Sequence, residues 1–135
     1  MKTRIHYHHT DCGGVVYYAR YLDFLEEARA ELFEGLGFSI KDLMSRGVNF
    51  AVARQEIDYK RPARYGDVVE VRPRVAAFSG VRVEFRYDVD DQDGRRLAEA
   101  RTVLVCVGAN MKPRRLPEDV RAKLAASVQP DVSRS

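Results

Sequence analysis

Hydrophobic positions change their period twice along this chain. From Thr3 to His8, Ile5 and Tyr7 alternate with Arg4, His6 and His8, the two-residue period of a first strand. The stretch Thr10 to Gly14 breaks that pattern with two consecutive glycines. From Val15 the spacing becomes three and four. Tyr18, Leu22, Leu25, Ala28, Leu32 and Leu36 fall on one helical face, with Arg20, Asp23, Glu27, Glu31 and Glu34 opposite. Phe24 and Phe33 lie off this stripe, which predicts a broad, well-enclosed apolar face. Gly35 and Gly37 predict the end of the helix. Ser39 followed by Asp42 reads as the cap of a short helix running to about Arg46.

Beyond it the two-residue period returns. Val48, Phe50 and Val52 alternate, then Ile57 and Tyr59 carry the opposite parity, which predicts a bulge between them. Pro62 to Asp67 reads as a turn. Val69, Val71 and Val75 share a face, and Pro73 marks an edge or an irregularity. After Ser79-Gly80, Val81, Val83, Phe85, Tyr87 and Val89 alternate with charged residues, and Asp91 to Gly94 predicts a hairpin turn. Val103 to Val107 is apolar on both parities, as in a strand covered on both faces. Four strands joined by tight turns are mostly antiparallel, and the one long helix is the available cover for their apolar face. The class is α+β: a five-stranded antiparallel sheet wrapped around one central helix. One domain over residues 1–128 is expected, with a polar tail over 129–135.

Composition narrows the function without naming it. A hydrophobic content of 45% supports a folded core, and no apolar run approaches the roughly 20 residues of a membrane helix. Residues 1–9 hold no apolar stretch of the kind that opens a secretory signal, so a cytoplasmic location and no membrane span are expected. The net charge of +3 suits a phosphate-bearing small molecule, while the absence of interleaved aromatic and basic residues argues against a nucleic-acid partner. Cys12 and Cys106 are too few for a disulfide framework and lack zinc spacing. His6 and His8 would share a strand face, as metal-binding pairs do. No acidic or cysteine ligand accompanies them at a matching spacing, so the pair reads as exposed or interfacial and no metal is expected.

Asp11 is the residue best placed for chemistry. A carboxylate in a loop leading into a helix can act as nucleophile or base, and the helix start supplies unpaired N–H donors for a developing oxyanion. On spacing alone it also reads as a turn or N-cap aspartate. Gly13 and Gly14 would let the loop approach a ligand.

The segment TDCGGVVYYARYLDFLEEARAE resembles the signature of the 4-hydroxybenzoyl-CoA thioesterase family, and DYKRPARYGDVVEV and MKPRRLP resemble the branch of acyl-CoA thioesterases encoded with the Tol–Pal envelope system. The likeness runs from Tyr7 to Pro117. It implies the hotdog fold and homo-oligomers, dimers or tetramers, that pair sheets edge to edge with active sites at the interface. It implies hydrolysis of an acyl-CoA to a carboxylic acid and CoA without a cofactor. Asp11 would be nucleophile or general base, and the Tyr18 N–H the oxyanion donor. Gly13, Gly14, Val15 and Tyr17 would line the substrate site, with Lys60, Arg61 and Arg82 as candidates for the CoA phosphates. Arg64, Lys112, Arg114 and Arg115 are further basic residues in the same regions. Two departures stand out: the Tol–Pal branch usually has His where this chain has Tyr18, and Cys12 replaces Ala or Pro. Cys12 reads as a small loop filler whose setting could activate its thiol. A dehydratase acting on acyl-carrier-protein thioesters would place His on the loop where Asp11 stands. A non-catalytic acyl-CoA or acyl-carrier-protein binding module is the remaining alternative.

Overall fold

The computed structural model describes residues 1–11 and 13–129. The expectations for Cys12 and for the tail beyond Gln129 lie outside the described residues. Strand β1 (Lys2–Arg4) leads through a single 3₁₀ turn, Tyr7–His9, to helix α1 (Arg20–Gly35) and the short α2 (Ile40–Ser45). Strands β2 (Asn49–Tyr59), β3 (Val68–Phe78), β4 (Arg82–Asp90) and β5 (Arg96–Val107) follow, then helix α3 (Glu118–Ser127). All five strands form one antiparallel sheet in the order β1-β3-β4-β5-β2. This is the α+β arrangement that the alternation predicted. Among the described residues no helix is long and apolar enough to cross a membrane.

Alternation within the strands sets the core. Val83, Phe85, Tyr87 and Val89 are buried on one face of β4, and Val69, Val71 and Val75 on the same face of β3. The parity change in β2 is a register shift between Val52 and Arg54 against β5. Pro73 sits where β1 no longer pairs with β3, since β1 reaches only from Val68 to Glu70, so its missing N–H leaves no ladder bond unmade. The far end of β5 is enclosed on both faces, with Val103, Leu104, Cys106 and Val107 all buried.

The stripe of α1 departs from the expected one at its start. The helix begins at Arg20 rather than Val15, Tyr18 lies ahead of it, and Leu22 is 44% exposed. Tyr21, Phe24, Leu25, Ala28 and Phe33 are the residues that bury. Phe24 and Phe33 bury beside Leu25, with Leu32 and Leu36 partly buried against the core, so the apolar face is broad as expected and of the four leucines only Leu22 falls outside it. The Phe33 ring meets Phe85 at 5.6 Å and Phe50 at 5.5 Å. Gly37 (φ +95°) ends the helix: its N–H reaches the Glu34 carbonyl and the Phe38 N–H the Phe33 carbonyl, both at 2.9 Å. Ser39 Oγ accepts the Asp42 N–H at 3.0 Å, as the capping pattern predicted.

Two expectations need correction. The first strand stops at Arg4 instead of continuing to His8. Thr10 closes a turn by donating both its N–H (3.0 Å) and its hydroxyl (2.7 Å) to the Tyr7 carbonyl, and these local bonds outcompete sheet pairing. Nor is α1 the sole cover. Helix α3 packs on β3, burying Val120 and Leu124 completely, and the Gln129 N–H bonds the Val75 carbonyl at 2.8 Å. A paired Arg46–Asp119 contact (2.8 and 2.9 Å) ties α3 to the residue capping α2. Because Leu124 is fully buried, Leu124→Ala is expected to cost about 2–5 kcal/mol, read as a lowered urea midpoint with an unchanged slope.

Candidate active site

The loop carrying Asp11 is a small hairpin. Thr10 pairs with Val16, the Asp11 N–H bonds the Val15 carbonyl at 3.0 Å, and the Tyr17 N–H bonds the His9 carbonyl at 3.0 Å. The turn between β2 and β3 grips its second arm: Val16 N–H to Ala63 O is 2.8 Å and Tyr65 N–H to Gly14 O is 3.1 Å. Inside the hairpin, Asp11 Oδ1 accepts the Gly13 N–H at 2.8 Å. This is the turn-aspartate geometry that spacing alone had left open. It commits one carboxylate oxygen. Gly14, with φ +75°, takes a conformation that favours glycine, and a Cβ on Gly13 would sit 3.2 Å from that oxygen and press the carboxylate aside. Asp11 itself is exposed and borders an open depression of about 620 Å³ with Tyr7, His8 and Thr10.

Tyr18 occupies the link between the hairpin and α1. Helix α1 has no side-chain cap, because its N-cap residue is Ala19. Among the described residues, none accepts a hydrogen bond from the Tyr18 N–H. The Tyr18 carbonyl accepts from the Tyr59 hydroxyl at 3.2 Å, and their rings lie 4.9 Å apart. Tyr18 borders a second cleft, about 200 Å³, with Val15, Tyr21, Tyr59, Lys60 and Arg61. Burial pushes the Tyr21 hydroxyl up to about 12 and raises Tyr59 as well, so both stay protonated at neutral pH and can donate.

The structure therefore brings Val15, Tyr18, Lys60 and Arg61 to one cleft, while Asp11 opens onto a separate depression that shares no lining residue with it, Gly13 and Gly14 lying in the loop between. Tyr17 is 61% exposed. Arg82 stands apart. It pairs with Val105 while Tyr59 pairs with Ala98, so seven residues of β5, about 23 Å, separate it from the Lys60 end within one chain. Arg114 is turned toward α2, donating to the Arg46 carbonyl at 2.8 Å. Tyr59 was not singled out from the sequence as a site residue. Its inward parity after the bulge was the one available signal.

The three histidines fold onto one another in the 3₁₀ turn. His6 and His8 stack at 5.7 Å, His8 and His9 lie 4.1 Å apart, and the His9 ring meets Phe24 edge-on at 5.2 Å. His9 Nδ1 accepts the His6 N–H at 2.9 Å, which requires that nitrogen to be unprotonated. Burial, then the neighbouring His8 and His6, lower the His9 pKa below 6.5. Among the described residues, no group of three His, Cys, Asp or Glu side chains is arranged to hold a metal ion.

Comparison with known proteins adds an independent line. Residues 5–124 match the thioesterase-like superfamily. The acyl-CoA thioester hydrolase YbgC of Escherichia coli is 36% identical over 121 residues, covering 89% of this chain and 90% of that protein. A solved structure of a hypothetical protein from Thermus thermophilus superposes with a TM-score of 0.89 at 35% identity, covering 94% of this chain and 97% of the other. The DHNA-CoA thioesterase of Staphylococcus aureus superposes with a TM-score of 0.89 at 27% identity, over 93% of this chain and 87% of that one.

The His9 contacts carry a pH consequence. Folding favours neutral His9, so the native state binds fewer protons than the unfolded chain once the pH drops below about 6.5. The stability contributed by the neutral ring is present above that value and is lost as the pH falls through the lowered native one. Denaturation midpoints measured from pH 8 to pH 5 are expected to decline on the acid side, and His9→Asn to flatten that decline.

Proposed function

The chain belongs to the thioesterase-like superfamily, and from that membership we propose that it is an acyl-CoA thioesterase, converting an acyl-CoA and water to a carboxylic acid and CoA. Asp11 supplies the carboxylate. Acting as nucleophile, its oxygen bonds to the thioester carbon, the C–S bond breaks, and the CoA thiolate takes up a proton. Water then cleaves the mixed anhydride and restores Asp11. Acting as base, Asp11 instead takes a proton from the water that attacks. In both routes negative charge gathers on the former carbonyl oxygen, and the Tyr18 N–H is the donor that meets it.

The observation that carries this reading is the free amide of Tyr18 at an uncapped helix start, on the segment that returns directly from the Asp11 hairpin. Such a donor has no hydrogen bond to a described residue to lose when substrate arrives. Only the main chain of Tyr18 is used, so a tyrosine in place of the branch's usual histidine leaves this role intact. Gly13, Gly14, Val15 and Tyr17 lie on the same hairpin and its exit, against which the thioester would rest. Lys60 and Arg61 suit the phosphates of CoA at the outer end of the Tyr18 cleft.

A second copy of the chain completes the site in this proposal. Strand β2 is the outer strand of the sheet, and its 11 residues have a free edge. Val52 and Tyr59 on it are 55% and 42% exposed. Exposed Arg54, Glu56 and Asp58 lie between them, so it is the length of the unpaired backbone edge that calls for a partner. Pairing two β2 strands would set one chain's Asp11 depression and Tyr18 cleft beside the other chain's sheet. Arg82 would serve only a site that a neighbouring subunit brings to it.

Asparagine at position 11 keeps a side-chain oxygen for the Gly13 N–H, so Asp11→Asn should fold normally. It is expected to lower kcat for thiol release by about 10²–10⁴-fold while CoA binding persists. Equal rates for the two proteins across acetyl-, octanoyl-, palmitoyl- and benzoyl-CoA would remove Asp11 from the mechanism.

A further inference from the structure

A buried line of hydrogen bonds runs beneath α1. The Arg29 guanidinium donates to the Tyr87 hydroxyl at 3.2 Å, Tyr87 donates to Thr102 Oγ1 at 2.9 Å, and Thr102 donates to Gln55 Oε1 at 2.7 Å. Gln55 Nε2 ends the line on the Arg101 carbonyl at 3.0 Å. Arginine only donates, so each hydroxyl hydrogen must point away from it and the whole line has one polarity. Tyr87 and Thr102 are 1% and 0% exposed, which makes this arrangement costly unless every member is satisfied. It holds Arg29 in place while using one of its N–H groups. Among the described residues no carboxylate forms an ion pair with Arg29.

Arg29 also lines a cavity of about 420 Å³ between α1, α2 and the start of β2. The wall is hydrocarbon, with Phe33, Leu43, Phe50 and Leu104 contributed by four different elements. Glu26 and Asn49 are the other polar residues on it, and Glu26 lies on the exposed side of α1, where water solvates its charge. The cavity shares Glu26 and Ala30 with a groove along α1 that in turn shares His8 with the Asp11 depression. A tethered, partly desolvated guanidinium beside an apolar wall complements one chemistry: a hydrocarbon body carrying a carboxylate.

We propose that this cavity binds an apolar carboxylate, its chain against Phe33, Leu43, Phe50 and Leu104 and its oxygens on Arg29. The proposal rests on the thioesterase reading only for the source of that ligand, which is either the far end of an acyl group bearing its own carboxylate or the acid set free by hydrolysis.

Titration calorimetry with octanoate and with octanol, on the full-length protein and on Arg29→Met, tests it. Octanoate is expected to bind the unaltered protein at least about tenfold more tightly than the variant, with octanol unaffected by the substitution. Arg29→Lys should retain part of the preference, and Tyr87→Phe, which keeps the charge but loses its tether, should weaken it less than Arg29→Met. No octanoate binding, binding unchanged in Arg29→Met, or octanol bound as tightly as octanoate would each overturn the site. Thiol release then separates the sources. Adipoyl-CoA cleaved faster than hexanoyl-CoA, with the difference lost in Arg29→Met, assigns the carboxylate to the substrate. Equal rates combined with inhibition by octanoate assign it to the released acid. Failure to cleave any acyl-CoA would end the thioesterase reading and leave the octanoate result standing.

Discussion

Two backbone hydrogen bonds, from Val16 to Ala63 and from Tyr65 to Gly14, fasten the Asp11 hairpin to the turn between β2 and β3. The same turn holds the incoming chain, because Ile5 donates to the Asp67 carbonyl at 2.8 Å and Gly66 donates to the Ile5 carbonyl at 3.0 Å. Without these contacts residues 5–17 would be a surface loop, and fixing each residue of such a loop costs about 1–2 kcal/mol of backbone entropy. Burial of Ile5, Val16 and Ala63 beneath the turn offsets that cost. The position of the Asp11 carboxylate thus depends on apolar contacts a few residues away as well as on the Gly13 N–H that it accepts.

The junction with α1 shows the complementary choice. A Ser or Asp at position 19 would cap the helix and contribute about 1 kcal/mol. With Ala19 there, the amides of Arg20, Tyr21 and Leu22 turn back onto the carbonyls of Tyr17, Tyr18 and Ala19, while no described residue accepts from the Tyr18 N–H. The helix tolerates this because Tyr21, Phe24, Leu25, Ala28 and Phe33 hold it by burial. Stability comes from the face turned to the sheet, so the amide of Tyr18 just ahead of the helix can stand without a protein acceptor among the described residues. A helix can forgo its side-chain cap at little cost where packing has already decided that it forms.

What could be read from the sequence was what local periodicity controls. The alternation of β4, the bulge in β2, the Ser39 cap and the glycine stop of α1 all depend on neighbours within a few residues. The broad face of α1 was legible from Phe24 and Phe33, but the exposure of Leu22 and the burial of Tyr21 were not, because a pattern of apolar positions does not say where the helix starts. Helix α3 escaped because just Val120 and Leu124 mark its buried side, too few for a period. At the site, Asp11 and the glycines stood out by motif. Tyr59 and Arg29 did not, since their roles lie in contacts 41 and 58 residues away in the chain.

The two faces of the sheet have been put to different uses, and this bears on how copies of the chain can meet. On the face away from α1, Arg96 contacts Asp88, Asp90 and Glu99, and Arg101 contacts Glu84 and Glu56. Covering this network with another surface would strip the remaining water from charges that are still partly exposed, Arg96 at 28% and Glu99 at 40%, at a desolvation cost. That face is therefore suited to solvent. The outer edge of β2 offers something else: backbone donors and acceptors in a row, flanked by exposed Val52 and Tyr59 and by the charged Arg54, Glu56 and Asp58. Pairing along the edge satisfies those groups without stripping water from the charged face. It also places the cavity holding Arg29, whose lining includes Phe50 and Val52 of the same strand, next to the seam. An apolar site at such a seam would be closed by association, so ligand binding there and assembly of the chain would reinforce each other.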